Sequence, residues 1–532
     1  MTVPASRARL FAQLAQPFDL LVIGGGITGA GIVLEAARRG LKALLVEQYD
    51  FAWGTSSRSS KLVHGGLRYL KQGALHLTRE SVQERQQLLR EAPGLVEPQS
   101  FAFADYPGRK PGKLMLNAGL MVYDLLAGNR SRRYDKADDF LLYAPHIARQ
   151  NLRGGSRYMD AKTDDARLVL RVLQEARLHG AITLNYAPAE NLLREENLLR
   201  EDDCVCGAQI RDAESGTCYQ VRAKAVINAT GAWADRLRMA IGETPKLRPL
   251  RGSHLLLPHW RLPVAQAVSF MHPLDGRPVF LYPWEGATLV GTTDLDHGDI
   301  NQEAAITPAE VTYLLQALDY QFPDLKLSAA DVLSTYAGVR PVVNTGKADP
   351  SAEGRDHVVL LEHGLLTVTG GKLTTFRVIA LDALAKVRAL LPDWHADLTP
   401  QPIFAATPAQ GRKTGLPPRL AARLSGRYGT RAEELLALAR PGELQTVATT
   451  DICWAELRWA ARNEQVVHLQ DLLLRRTRLG LLVPHGGAEL LPRIGMLACA
   501  ELGWNEQRWQ NECEQYLALI ASHYSLPAEN AA

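Results

Sequence analysis

Three glycines, Gly24-x-Gly26-x-x-Gly29, and a carboxylate 23 positions beyond the first of them (47 minus 24), Glu47, have the types and spacing to hold a dinucleotide. Gly24 permits a tight turn, Gly26 lets a pyrophosphate approach the backbone, and Gly29 lets a helix pack closely on a strand. Gly25 and Thr28 belong to the same turn. The anion would rest on unpaired amides at the positive end of that helix. Glu47 could accept hydrogen bonds from both ribose hydroxyls and would repel a 2′-phosphate, which disfavours NADP. The elements that must position these groups are legible around them. An apolar strand at 20–23 leads into the glycines, and a helix pattern (Ala30, Ile32, Val33, Ala36, Ala37) ends at Gly40. A second apolar strand at 41–46 delivers Glu47.

Length bounds the rest. A chain of 532 residues is too long for one core and suggests about three domains. Apolar content of 46% and charge of 22% mark an ordinary globular protein, and a net charge of +3 gives no electrostatic case for nucleic acid. Cys204-x-Cys206 is too tight for a zinc pair, and His254 and His259 have no third ligand in sight, so no metal site is expected. The six sparse cysteines read as reduced thiols of a cytoplasmic protein. No run reaches the roughly 18 apolar residues of a spanning helix. Residues 1–18, with Arg7 and Arg9, read as a frayed leader.

Helices are expected at 78–91 and 163–176, the latter with Thr163 as cap, acids in its first turn and Gly180 at its end. Short strands are expected at 181–186, 206–211, 219–223 and 225–228, the last entering a second glycine turn, Ala229-Thr230-Gly231. Alternating runs from 249 to 295 predict an inserted antiparallel sheet. A proline-spotted linker at 392–418 precedes helical periodicity at 419–524. The fold class is therefore α/β: a Rossmann-type domain with an inserted antiparallel β-sheet cap, plus a C-terminal α-helical domain. The nucleotide-binding domain with its cap is placed at 18–390, with nucleotide pieces at about 18–105, 160–245 and 330–390 and the cap at about 246–329; the helical domain is placed at 405–525.

Eight stretches carry a family resemblance, in order: TSSRSSKLVHGGLRYL (55–70), DDARLVL (164–170), NATGAW (228–233), GSH (252–254), GTTD (291–294), YAGVRP (336–341), Arg355-Asp356 and GGKLTTFR (370–377). Over about 18–380 the chain resembles the FAD-dependent, respiratory glycerol-3-phosphate dehydrogenases of the D-amino-acid-oxidase-like superfamily, and 455–480 is similar to their C-terminal helical domain. The extension before Phe18, the segment 400–418 and the lack of a calcium-binding loop depart from the pattern.

The resemblance implies FAD as cofactor and oxidation of sn-glycerol 3-phosphate to dihydroxyacetone phosphate, with hydride passing to the flavin. It places Ser56, Ser57, Ser59, Ser60, Lys61, His64, Gly65, Gly66, Arg355, Gly371, Leu373 and Thr374 at the cofactor with the fingerprint and the second glycine turn. A phosphate dianion needs cations, and Arg68, Arg340 and Lys372, with Tyr69, are the substrate-binding candidates. Lys372 would add its charge to a helix start at 373–385 facing the flavin. His64 and His254 are the candidate bases, since an arginine resists deprotonation and Arg340 suits a clamp. No haem or iron–sulfur site is apparent, so the family's membrane quinone is the implied acceptor. A helix at 114–126 flanked by Arg109, Lys110, Lys113, Arg130, Arg132, Arg133 and Lys136 could dock on the inner face of the cytoplasmic membrane, or be a core helix with basic ends. Oligomeric state stays open, a homodimer included. An amine or hydroxy-acid oxidase and a non-catalytic flavin-binding protein are the alternatives.

Overall fold

The computed structural model describes residues 3–67, 70, 75–197, 202–347, 353–354, 356–405 and 415–528. Its organising element is the strand Phe18–Ile23, apolar at all but one position and buried along nearly its whole length. Such a run, without alternation, belongs to the middle of a parallel sheet covered on both faces. Parallel neighbours are Ala43–Val46 on one side and Cys218–Asn228 on the other, with Ile182–Leu184 and Leu365–Gly370 beyond them. Antiparallel His357–Glu362 closes one edge. Helices Ile27–Ala37, Asp165–Leu178 and Phe376–Val387 cover one face and share one apolar core with the strands. The expected strands 219–223 and 225–228 are one continuous strand, whose first half pairs instead with Asp202–Arg211.

The second sheet is larger than the inserted run at 246–329. It has ten strands, and Leu247–Pro258, Ala267–Met271, Pro278–Trp284 and Ala287–Gly291 supply its meander. Val96–Asp105 lies parallel to Ala267–Met271, Gly154–Thr163 lies antiparallel to Val96–Asp105, and Ser334–Val343 lies antiparallel to Leu247–Pro258. The piece of the nucleotide domain placed at 18–105 therefore ends before Val96. The capping residue of Asp165–Leu178 also differs: Asp164, not Thr163, accepts the Arg167 amide at 3.2 Å. Thr163 spends its hydroxyl on the Leu95 carbonyl.

The N-terminal stretch is not frayed. Val3–Ala12 is helical, Phe11 and Leu14 are buried, Phe11 packs on Tyr219, and Arg7 pairs with Asp212 at 2.7 Å. Helices Pro418–Tyr428, Ala432–Leu438, Trp454–Asn463, Leu491–Leu502 and Glu506–Leu519 form the C-terminal part, as the periodicity predicted. They pack on the rest through buried ion pairs as well as apolar surface, among them Arg167 with Glu464 at 2.6 Å and Arg427 with Asp164 at 2.5 Å.

One helix breaks the usual orientation. Lys113–Ala127 buries Leu120, Tyr123 and Asp124 and turns Leu114, Met115, Met121, Val122 and Leu125 outward, Leu114 being 87% and Leu125 81% exposed. Those outward positions recur at helical spacing, so they form a stripe. A core helix would hide such a stripe, and among the described residues nothing covers it. No described helix is long and apolar enough to cross a membrane.

Candidate active site

A cavity of about 400 Å³ runs along the carboxyl ends of the parallel strands, within the size range of cofactor sites. Gly24, Gly26 and Thr28 line it, with Glu47, Ser56 and Ser59; further along come Ala229, Thr230 and Gly231, and then Gly371, Lys372 and Leu373. The glycines are there for clearance. A Cβ on Gly29 would sit 1.9 Å from the Gly24 carbonyl oxygen, and one on Gly24, at φ +117°, would sit 2.5 Å from that of Ala229. Gly25 donates its amide to Glu47 Oε2 at 2.7 Å, and the Tyr49 amide bonds Oε1 at 3.0 Å. Burial raises the Glu47 pKa above the usual carboxyl range, with the Asp50 charge adding to it, while the amides of Tyr49 and Gly25 oppose the rise. Each carboxylate oxygen retains a second lone pair for a hydroxyl. Ser56 Oγ accepts the Ile27 amide at 2.9 Å, so one amide expected to be unpaired is already taken. Asn228, fully buried, builds the second glycine turn by accepting the Thr230 hydroxyl at 2.7 Å.

The serine-rich loop divides. Ser56 and Ser59 reach the wall, whereas Ser57 is buried against the Trp53 carbonyl and Ser60 Oγ meets His254 Nε2 at 2.9 Å. Lys61 does not face the cavity at all. Its ammonium is wholly buried, bonded to the Ser57 carbonyl at 2.9 Å and to Asp165 at 3.1 Å, over the rings of Tyr336 and Trp284. Burial is the main force drawing its pKa to about 8, against the pull of Asp165. The phenols of Tyr282 and Tyr336 hold the carbonyls of Ser60 and Ser59. Gly65, its amide on Asp160 Oδ1, packs against Tyr123, and neither Gly65 nor Gly66 lines this cavity.

Of the candidate bases and cations among the described residues, Lys372 lines the cavity, whereas His64, His254 and Arg340 do not. Lys372 lines the cavity and donates to Ser81 Oγ at 2.9 Å. The helix expected from residue 373 begins as a 3₁₀ turn, Leu373–Thr375, before Phe376–Val387. Thr374 sits just behind the wall and donates its hydroxyl to the carbonyl of half-buried His64 at 3.2 Å. Arg340, preceding the wall residue Pro341, donates to Asp294 Oδ1 at 2.7 Å and Thr292 Oγ1 at 3.0 Å, which fixes its guanidinium plane. His254 is 1% exposed, stacked on Tyr336 with centroids 4.6 Å apart. Burial, aided by the charges of Arg340 and Lys61, drives its pKa well below the usual imidazole value. Gly252 and Gly291 leave room for these two side chains, since a Cβ would meet Arg340 Nη2 at 2.3 Å and His254 Cδ2 at 2.2 Å. Arg68, Tyr69 and Arg355 lie outside the described residues.

Trp53, Thr55, Trp233, Arg236 and Pro341 also line the cavity without having been singled out. Trp233, Thr55 and Pro341 stand inside motifs quoted above, and that adjacency was the available signal. Among the described residues no His, Cys, Asp and Glu cluster could hold a metal. The glycine clearances, the paired carboxylate and the residues lining the cavity fit FAD.

Comparison with known proteins agrees. Residues 19–377 match the family FAD dependent oxidoreductase, and residues 401–509 match the C-terminal domain of alpha-glycerophosphate oxidase. The chain is 35% identical over 489 residues to an aerobic glycerol-3-phosphate dehydrogenase of Staphylococcus haemolyticus (strain JCSC1435), covering 87% of each. It is also 35% identical over 486 residues to that of Staphylococcus aureus (strain USA300), covering 86% of each. Among solved structures it is similar to the glycerol-3-phosphate dehydrogenase from Bacillus halodurans complexed with FAD, at 28% identity and a TM-score of 0.77 over 97% of this chain and 98% of that one. The L-alpha-glycerophosphate oxidase from Mycoplasma pneumoniae shares the fold, with 19% identity and a TM-score of 0.56 over 73% of this chain and 97% of that one.

Proposed function

We propose that this chain, which belongs to the FAD dependent oxidoreductase family as a glycerol-3-phosphate dehydrogenase, oxidises sn-glycerol 3-phosphate to dihydroxyacetone phosphate and passes the electrons to a membrane quinone. The observation that carries the substrate assignment is Lys372, a cation on the wall of a cavity that also holds the dinucleotide cradle; the anchored Arg340, one residue before the wall residue Pro341, supports it. FAD, when bound, supplies a two-electron acceptor for the secondary alcohol. Glu47 would hold the ribose hydroxyls, and the first-turn amides of Ile27–Ala37 other than that of Ile27 would hold the pyrophosphate.

The chain's own residues then have three tasks. Arg340 and Lys372, together with Arg68, bind the phosphate and stabilise negative charge on the hydroxyl oxygen as its proton leaves. His64 takes that proton. The bond from Thr374 to its backbone carbonyl, next to the wall residue Leu373, supports this reading, and histidine is the side chain most often used as a general base. His254 suits this task less, because burial makes its protonated form costly and its Nε2 is engaged with Ser60. It positions the serine loop instead.

The outward apolar stripe of Lys113–Ala127 supports docking on the inner face of the cytoplasmic membrane. Exposed Lys110, Arg130 and Lys136 lie at its flanks to meet anionic headgroups, with exposed Arg133 beside them though paired with Asp135 at 2.7 Å; Arg132 is committed to Asp124 at 2.8 Å. Anaerobic mixing with glycerol 3-phosphate tests the reading: the yellow absorbance of the bound flavin should bleach and return on adding a soluble quinone. A flavin that stays oxidised refutes the substrate, and hydrogen peroxide formed in step with turnover refutes the quinone.

A further inference from the structure

Every wall residue of the nucleotide cavity precedes residue 374, yet the loops that build it are gripped from behind by the C-terminal helices. Three arginines within four positions, Arg475, Arg476 and Arg478, do this. Asp50, fully buried three positions after Glu47, accepts hydrogen bonds from Arg475 Nε at 2.5 Å and from Arg476 Nη1 and Nη2 at 2.5 and 2.8 Å. It also accepts Asn185 Nδ2 at 3.0 Å. Burial would raise the Asp50 pKa, but the charges of Arg476 and Arg475 hold it at about 2. Two residues further on, Arg478 bonds Asp164 at 2.9 Å, Asp165, and the Ser57 carbonyl at 3.2 Å. Asp165 in turn accepts the amide and hydroxyl of the wall residue Ser59, at 3.0 and 2.7 Å. One short segment thus reaches the ribose end through Asp50 and the serine loop through Asp165.

The backbone carries the same mark. Leu472–Arg476 is a π-helical turn, a local form that recurs at functional sites. Arg478 has φ +67°, and the gripped loops contain Ala52 at φ +62° and Lys61 at φ +55°. Left-handed non-glycine residues are costly and persist where their surroundings over-determine them. Arg475, Arg476 and Arg478 are at most 1% exposed. Buried ion pairs of this kind add little net stability against apolar packing, so register is the better account of them.

We propose that Arg475, Arg476 and Arg478 are positioning residues for the FAD cradle, so that the C-terminal helical domain completes the cofactor site by fixing the loops at 47–52 and 56–61. The inference rests on FAD binding in the cavity. By linkage, FAD must then tighten the C-terminal segment as much as that segment tightens FAD.

The test titrates apoprotein with FAD, following quenching of flavin fluorescence. Asp50→Asn and Arg478→Gln should each raise Kd by about fivefold or more, the lower end for coupled sites, whereas Glu501→Gln should stay within about twofold. Glu501 bonds Arg458 and Arg462, both at 2.7 Å, within the helical domain, so its loss loosens that domain without touching either loop. In the wild-type chain, hydrogen exchange over 469–482 should slow when FAD is added. Folded Asp50→Asn and Arg478→Gln variants with unchanged Kd overturn the proposal, as does a Glu501→Gln effect of equal size. Should the first two variants fail to fold, unchanged wild-type exchange over 469–482 overturns it alone. Wild-type apoprotein that takes up no FAD refutes the cofactor reading itself.

Discussion

Replacing Glu47 by glutamine asks the most of the cradle. The carboxylate accepts two backbone amides, Gly25 at 2.7 Å and Tyr49 at 3.0 Å, and has lone pairs left for the ribose. A glutamine can satisfy one amide through its oxygen, but its NH₂ group then faces the other amide, donor against donor. Losing a hydrogen bond to a charged acceptor costs about 1.5–3 kcal/mol. At about 1.4 kcal/mol per tenfold, that weakens FAD binding by about 10- to 150-fold. Burial already works against the charge of Glu47, and a neutral side chain is relieved of that cost, so the low end is expected. The assay is fluorescence titration of apoprotein with FAD, with urea unfolding of the apoprotein as control. A Kd within about twofold of wild type, with an unmoved unfolding midpoint, would refute the view that this carboxylate joins the glycine turn to the ribose.

Three further outcomes are expected. His64→Asn should slow flavin bleaching by glycerol 3-phosphate about 10²- to 10⁴-fold at unchanged FAD content, while His254→Asn should act mainly on thermal stability; stopped-flow absorbance reads both. Paired Leu114→Ser and Leu125→Ser changes, or reversal of Arg130 and Arg133 to glutamate, should lower co-sedimentation with anionic vesicles and leave solution turnover with a soluble quinone unaltered. Burial disfavours the His468 cation, but Glu214 and Glu512 raise its pKa to about 10. A raised folded pKa gives stability that is full below the unfolded value of about 6.5 and lost as pH rises through about 10, so urea unfolding should show a decline over that window that His468→Asn lacks.

What could be read from the chain was what local spacing controls. The fingerprint turn, its helix and Glu47 lie within thirty residues, and each part constrains the next, so the strand, turn and helix that bring Glu47 beside Gly25 were legible. The loop at 55–61 was not. Its serines look the same in sequence, yet Ser59 and Ser60 take opposite partners because Asp165 and His254 arrive from 106 and 194 residues away. Lys61 resembled a cofactor ligand until a carboxylate and two aromatic rings enclosed it. Thr163 and Asp164 are both good caps, and only the pairing of Thr163 with Leu95 decides between them. The N-terminal helix was misread because its apolar residues gain partners only from Tyr219 and its neighbours, far along the chain.

The second sheet draws Val96–Asp105 and Gly154–Thr163 from one side of the nucleotide strands and Leu247–Pro258 and Ser334–Val343 from the other. Substrate preference therefore cannot be transplanted between relatives by exchanging one contiguous block. A chimaera that swapped 246–329 alone would set a foreign Ala267–Met271 edge against the native Val96–Asp105 strand, where three backbone registers must match. Recombination in this lineage should leave crossovers in the connections outside both strand groups, and specificity should drift instead by point changes at the cavity's far end.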